Sequence, residues 1–246
     1  GRLLLSGWPA WSAIAAALFC GALVGLLNGF LVQRGLNPLV VTIATLTSVG
    51  GLANLVAGGL AIPGIDQLTW MGSAAYWGIP SPVFLVAVVY VLAWFFLTQT
   101  RGGARLQAVG GNVEAVRRVG ISADRYRILG FVLGSVAGAI GGIAVTAVTL
   151  QASPTASVEL LFTGITAVAL SGMPLTGGRG SMPRVLVGAL IIATINSALV
   201  IRGIEPSWTT VITGVLLVLA LVFERSMTAA VTARLTAAAQ SNSTEV

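Results

Sequence analysis

Apolar residues gather into seven long runs separated by short polar connections, at about residues 8–33, 38–57, 82–100, 128–150, 160–172, 185–201 and 207–223. A helix crossing the roughly 30 Å hydrocarbon core of a bilayer needs about 20 mostly apolar residues. The pattern therefore predicts an all-α, polytopic transmembrane helical bundle, with the fifth span short.

The connections carry the signals that start and stop these helices. Asn37-Pro38 separates the first two spans by a tight turn, since proline suits a helix start and opposes continuation of the preceding helix. Residues 58–81 form a longer loop with room for a short interfacial helix. Trp70, Tyr76 and Trp77 in it, with Trp8, Trp11 and Trp208 near the same side, suit the membrane interface. The most polar connection runs from Arg101 to Arg127. Within it Asn112 can cap a short helix, Glu114 lies in its first turn, Arg117 and Arg118 near its end, and Gly120 is a C′ stop. Ser122 can cap the next helix, with Asp124 in its first turn. The fifth span breaks at Ser171-Gly172-Met173-Pro174 before a loop holding Gly177, Gly178 and Gly180. Irregular backbone at membrane depth is tolerated only inside protein or beside an aqueous cavity, so a short or partly re-entrant helix is expected there. Residues 236–246 lack apolar periodicity and read as a disordered tail.

Glycines recur every fourth residue at Gly21, Gly25 and Gly29 in the first span and at Gly130, Gly134, Gly138 and Gly142 in the fourth. Small residues at this spacing share one helical face and let two backbones approach closely in lipid. Both sets are read as helix-packing seams.

Composition agrees with a life in lipid: 56% of residues are hydrophobic and 8% charged. Placing 101–127 in the cytoplasm puts Arg34, Arg101, Arg105, Arg117, Arg118, Arg125, Arg127, Arg179, Arg184, Arg225 and Arg234 on that side, and only Arg2 and Arg202 opposite. Topology thus accounts for the net charge of +6 without a nucleic-acid partner. With that orientation the first span runs from outside inward. Membrane-crossing sequence is then expected upstream, and the chain reads as a carboxy-terminal fragment holding about seven spans. Cys20 is the one cysteine and reads as a packing residue, which excludes a disulfide framework and a thiolate metal site.

Several chemistries lack their residues. The chain has no histidine and no lysine, so it cannot form a Walker A loop and lacks the commonest general base and zinc ligand. Gly177-Gly178-Arg179-Gly180 resembles a phosphate cradle only superficially, because it has no lysine and follows no strand. No catalytic residue, metal or cofactor is expected. Asp66, Glu114, Asp124, Glu159, Glu205, Glu224 and Glu245 fall in loops or at span edges, against the intramembrane carboxylates of proton- and sodium-coupled carriers.

Uncharged polarity is what the spans do contain: Asn28, Thr42, Thr45, Thr47, Ser48, Asn54, Thr166, Asn196 and Ser197. Such groups can exchange hydrogen bonds with a neutral polyhydroxylated solute, or can join helix to helix. Thr45, Asn54, Thr166 and Asn196 are the candidates for a substrate pathway, the two amides foremost because they are costly to leave unpaired in lipid.

Three separated strings, Gly110 to Ile143, Asn28 to Ala53 and Leu170 to Ser181, resemble in one order the ATP-binding-cassette (ABC) transporter permeases of the ribose/xylose type, relatives of the branched-chain amino-acid permeases. The resemblance implies one transmembrane permease domain over 1–246 in a bacterial cytoplasmic (inner) membrane, with about seven spans present of the roughly ten the family has. It further implies partner ATPases, a second permease copy, an extracytoplasmic solute-binding protein, and import of a monosaccharide or related polyol by alternating access. By position it makes 101–127 the cytoplasmic coupling loop, with Asn112, Glu114, Ala115, Arg117, Arg118 and Gly120 as candidates for contact with the ATPase. Two departures stand out: Val113 where the family has proline, and Ser171-Gly172-Met173-Pro174 where it reads Gly-Gly-Thr-Ser. The alternatives are a branched-chain amino-acid permease and a passive channel or secondary carrier, with a membrane-embedded enzyme last because it would lack an activating base.

Overall fold

A computed structural model of the chain describes residues 1–154, 156–173, 177, 178, 180–205, 208–220 and 222. The helices are α1 (Arg2–Leu5), α2 (Ala10–Gln33), α3 (Pro38–Ala57), α4 (Thr69–Gly72), α5 (Ser81–Gln99), α6 (Arg101–Gly111), α7 (Val113–Arg118), α8 (Ala123–Thr149), α9 (Ala156–Leu170) and α10 (Met182–Ile201). A further apolar helix, α11, covers Trp208–Ala220. Two small ladders join them: β1 (Ile62–Pro63) pairs antiparallel with β4 (Gln151–Ala152), and β2 (Ala75–Tyr76) with β3 (Ile79–Pro80). The fold is an all-α polytopic bundle. Its two compact units are Gly1–Ser157 and Val158–Val246.

Among the described residues five helices, α2, α3, α5, α8 and α10, are long and apolar enough to cross a membrane. The seven spans expected from the sequence are thus five of full length and two shorter. Helix α9 has 15 residues, about 22 Å at the α-helical rise, less than the hydrocarbon thickness. It ends where the sequence breaks, with Gly172 in a left-handed conformation (φ 68°). Pro174 and Arg179 in the following loop, and the tail from 223 onward, lie outside the described residues.

In the first unit the most extensive pairing is α2 against α8. A Cβ added to Gly25 would stand 2.6 Å from Val132 Cα, one on Gly29 2.8 Å from Ile128 Cα, and one on Gly21 2.9 Å from Ala139 Cβ. The order of these contacts makes the two helices antiparallel. The second glycine set is placed differently. A Cβ at Gly134, Gly138 or Gly142 would meet nothing within 4 Å among the described residues, and one at Gly130 would meet only Leu106 of α6.

The loop 58–80 closes one end of this unit. A 3₁₀ turn (Asp66–Leu68) runs into α4, and Leu4, Ile65, Leu68, Met71 and Ala147 form a buried cluster there. Trp11 and Trp70 stack at 5.5 Å beside it, both partly exposed, as interfacial indoles do. The β2–β3 hairpin turns through Trp77 and Gly78, both at positive φ, as a two-residue type I′ connection requires.

At the other end the sequence-based expectation needs correction. Residues 101–111, expected as loop, are helix α6, capped by Thr100, whose hydroxyl accepts from Gly103 N at 3.1 Å. Ser122 does occupy the N-cap position of α8, but its side chain makes no capping bond. In the second unit Thr166, Ala167, Ala169 and Ile192 are buried, and buried Gly188 of α10 lies against the Ala167 carbonyl of α9.

The α2–α8 contact generates a test. Gly25→Ala forces a methyl into Val132 backbone and is expected to cost about 1–3 kcal/mol, the usual range for overpacking. Gly138→Ala meets open space and should stay within about 0.5 kcal/mol of the parent. Thermal unfolding of both variants in the same detergent measures the difference.

Candidate coupling surface and polar path

The antiparallel arrangement of α2, α3, α5 and α8 gathers Arg34, Arg101, Arg105, Arg117, Arg118, Arg125 and Arg127 at one end of the first unit, while Arg2 lies at the other, where its Nε donates to Val56 O. That basic end carries α6, α7 and the start of α8.

Helix α7 has six residues, too few to persist alone, so its neighbours must hold it. Asn112 is its N-cap: the side-chain oxygen accepts from Ala115 N at 3.0 Å. This cap starts the helix at Val113 without a proline at its first position. Glu114 in the first turn and Arg117 and Arg118 in the last match the helix dipole. The end is a Schellman closure. Gly120 (φ 78°) donates to Arg117 O at 3.0 Å and Ile121 to Val116 O at 3.3 Å, with Ile121 packed near Val116. Val109 of α6, Val116 of α7 and Ala123 of α8 form a small buried cluster that ties the three helices together.

The polar groups of this region divide into two kinds. Arg117 pairs with Asp124 of α8 at 2.9 Å, and Arg105 donates to the Tyr126 hydroxyl at 2.9 Å, so both arginines are engaged within the chain. Glu114 and Arg118 are more than four-fifths exposed and meet each other only at 3.7 Å. Ala115 is exposed too, and Val119 presents 71% of its surface. Sequence reasoning missed Val119, because an isolated valine beside a charged run gives no signal of which way it points.

The candidate path residues do not form one cluster. Thr45 and Asn54 are nine positions apart on α3, half a turn out of phase, and so face opposite ways. Asn54 Nδ2 donates to Gly50 O of its own helix at 3.2 Å. Thr45 Oγ donates to Oδ1 of buried Asn28 on α2 at 2.6 Å, and Val41 O of its own helix lies 2.8 Å away as a second acceptor. A hydroxyl has one proton to give, so the two acceptors share it. This pair joins α2 to α3. Thr166, fully buried in the second unit, donates to Phe162 O at 2.7 Å. Asn196 differs from the others: its Oδ1 is buried without a hydrogen-bond partner among the described residues.

An apolar cavity of about 440 Å³ lies near the loop end of the first unit, lined by Trp70, Met71, Ser81, Phe84, Leu85 and Val88. Ser81 spends its proton on Met71 O at 2.9 Å, which leaves this cavity poorly suited to a hydroxyl-rich solute. No group of three His, Cys, Asp or Glu residues that could hold a metal occurs among the described residues.

Residues 2–221 match the protein family described as branched-chain amino acid transport system / permease component. The chain belongs to this family. It is 34% identical over 218 residues to the L-arabinose transport system permease protein AraH of Escherichia coli (strain K12), covering 87% of this chain and 66% of that protein. To the ribose import permease protein RbsC of the same strain it is 30% identical over 218 residues, covering 86% of this chain and 68% of the relative. To the ribose import permease protein RbsC of Bacillus subtilis (strain 168) it is 32% identical over 206 residues, covering 82% and 64%. The chain thus spans about two thirds of the length of these relatives. No solved structure matches it. Family and apolar helices together make it a multi-pass protein of the bacterial inner membrane.

The cap at α7 yields a local prediction. Asn112→Ala removes the acceptor for Ala115 N and is expected to cost about 1 kcal/mol, while Asn112→Asp keeps it. Hydrogen exchange should show the α7 amides opening about fivefold faster in the alanine variant only, as that energy corresponds to through RT.

Proposed function

We propose that the chain is part of the membrane permease of an ABC importer for a monosaccharide or related polyol, driven by partner ATPases that engage α7. The carrying observation is that relatives 30–34% identical over more than four-fifths of the chain are named for arabinose and ribose. The family description names branched-chain amino acids instead, and the polarity of the spans favours the sugar. A zwitterion needs partners for two charges, whereas the described spans offer hydroxyls and amides. Asn196 supports the same reading, since a buried acceptor lacking a donor is a place where a passing hydroxyl can bond.

By the positive-inside rule the arginine-rich end of the first unit faces the cytoplasm. Nucleotide binds the ATPase and not the permease, so it can shift the permease between inward- and outward-open states only through a contact whose strength differs between them. Helix α7, short, capped and exposed on one face, is that contact. An extracytoplasmic solute-binding protein delivers the cargo at the opposite end, and a second permease copy completes the pore.

Reconstitution of the intact permease with its ATPase and binding protein decides the cargo. ATP-dependent uptake of arabinose or ribose with no uptake of leucine supports the proposal, and the reverse preference assigns the branched-chain reading. Uptake that proceeds equally without ATP assigns a passive channel or secondary carrier. Asn196→Leu should raise KM for the sugar about tenfold, the value of one hydrogen bond of roughly 1.4 kcal/mol, with ATPase assembly unchanged.

A further inference from the structure

Three arginines at the basic end divide between two jobs: Arg105 and Arg117 bond within the chain, and Arg118 is turned outward. We infer that Arg117 and Arg105 are positioning residues that pin α7 and α6 to α8, while contact with the ATPase falls to the outward group Glu114, Ala115, Arg118 and Val119. This inference rests on the reading of α7 as the ATPase contact and specifies how displacement leaves it.

Three observations carry it. First, the Arg117 guanidinium is directed to Asp124, in the first turn of α8, at 2.9 Å, so this partly exposed pair bridges the Gly120 junction. Arg105 spans the next gap, donating to the Tyr126 hydroxyl at 2.9 Å with its guanidinium carbon 6.0 Å from that ring. Second, the junction needs such pins. The chain turns between α7 and α8 through one glycine at positive φ, held by the two backbone bonds of the closure and by the small cluster of Val109, Val116 and Ala123 with Val113, Ile121 and Tyr126 against it. A six-residue helix pushed by a partner would otherwise rotate about Gly120, and the displacement would be lost locally. Third, the receiving helix is rigidly placed, because α8 packs backbone to backbone along α2 from Ile128 to Ala139. A pinned α7 therefore moves α8 and α2 as one body.

The outward group suits docking for the complementary reason. Val119 is a hydrophobic side chain 71% exposed beside Arg118 and Glu114, whose mutual separation of 3.7 Å leaves both available. It fits a partner hollow that is apolar at its centre and polar at its rim.

The experiment uses the intact permease reconstituted with its ATPase, reading co-purification of the ATPase and the ATP hydrolysed per solute moved. An exposed ion pair biases an equilibrium only a few-fold, so the variants should still fold. Arg117→Asp and Asp124→Arg should each keep ATPase binding and raise ATP consumed per solute about fivefold, which RT converts to about 1 kcal/mol. The double swap R117D/D124R should restore the parental ratio, and Tyr126→Phe should raise it by a smaller factor. Val119→Asp should abolish co-purification. Loss of ATPase binding in R117D, or no recovery in the double swap, overturns the pin assignment while leaving α7 as the contact. Full co-purification in both V119D and R118E overturns the coupling reading itself.

Discussion

Everything in the first unit is arranged around one close approach, that of the α2 backbone to the α8 backbone at Gly25, where a Cβ would come within 2.6 Å of Val132 Cα. Lipid tails are as apolar as leucine, so burying side chains gives two helices no reason to associate inside a bilayer; contact area and short backbone separation must supply it. Glycine provides both by removing the side chain that would hold the helices apart. Because the approach is antiparallel, it also decides which ends coincide. The carboxyl end of α2 and the amino end of α8 meet on the arginine-rich side, and the loop 58–80 is left to close the other with its buried Ile65 and Met71.

That same constraint shows why part of this architecture was legible in the sequence and part was not. Apolar run length revealed the long helices, since a span has to match hydrocarbon thickness whatever its neighbours are. Glycine spacing revealed that α2 has a face able to come close to another helix. It could not reveal the partner face, which is built of Ile128, Val132, Ser135 and Ala139, an ordinary row on α8 with no composition of its own. The more conspicuous row, Gly134, Gly138 and Gly142, points elsewhere. Small residues permit an approach, and only the rest of the fold determines whether it is used.

Helix α6 went unseen for a different reason. Four glycines in eleven residues argue against a helix on propensity, and two arginines within it suggest a solvated loop. Tertiary contact overrides this: Thr100 caps the first turn, Gly103 sits against the Phe96 carbonyl of α5, and Val109 is buried against α7 and α8. The signal was present as Gly103, Leu106 and Val109, three apart on one face behind a threonine cap. By contrast α7 was legible almost atom by atom, because a capping asparagine, a dipole-matched charge order and a left-handed glycine are local devices that need no neighbour.

The polar residues of the spans pose the limit most sharply. A hydroxyl in a membrane helix can always satisfy itself on the carbonyl one turn back, and Thr42, Thr47, Ser48 and Thr166 all do. Their presence in a span therefore says little about cargo. An amide has more groups to satisfy, so it reports on its surroundings. Asn54 bonds its own helix, Asn28 accepts across the helix pair from Thr45, and Asn196 keeps a buried oxygen without a donor among the described residues. Of the four candidate path residues, Asn196 alone keeps a buried acceptor unpaired among the described residues, and an unpaired buried acceptor is costly. An acceptor of this kind would suit a solute that binds transiently and releases. Partners supplied by the protein itself would hold the amide closed, and a charged group in its place would hold the solute too long.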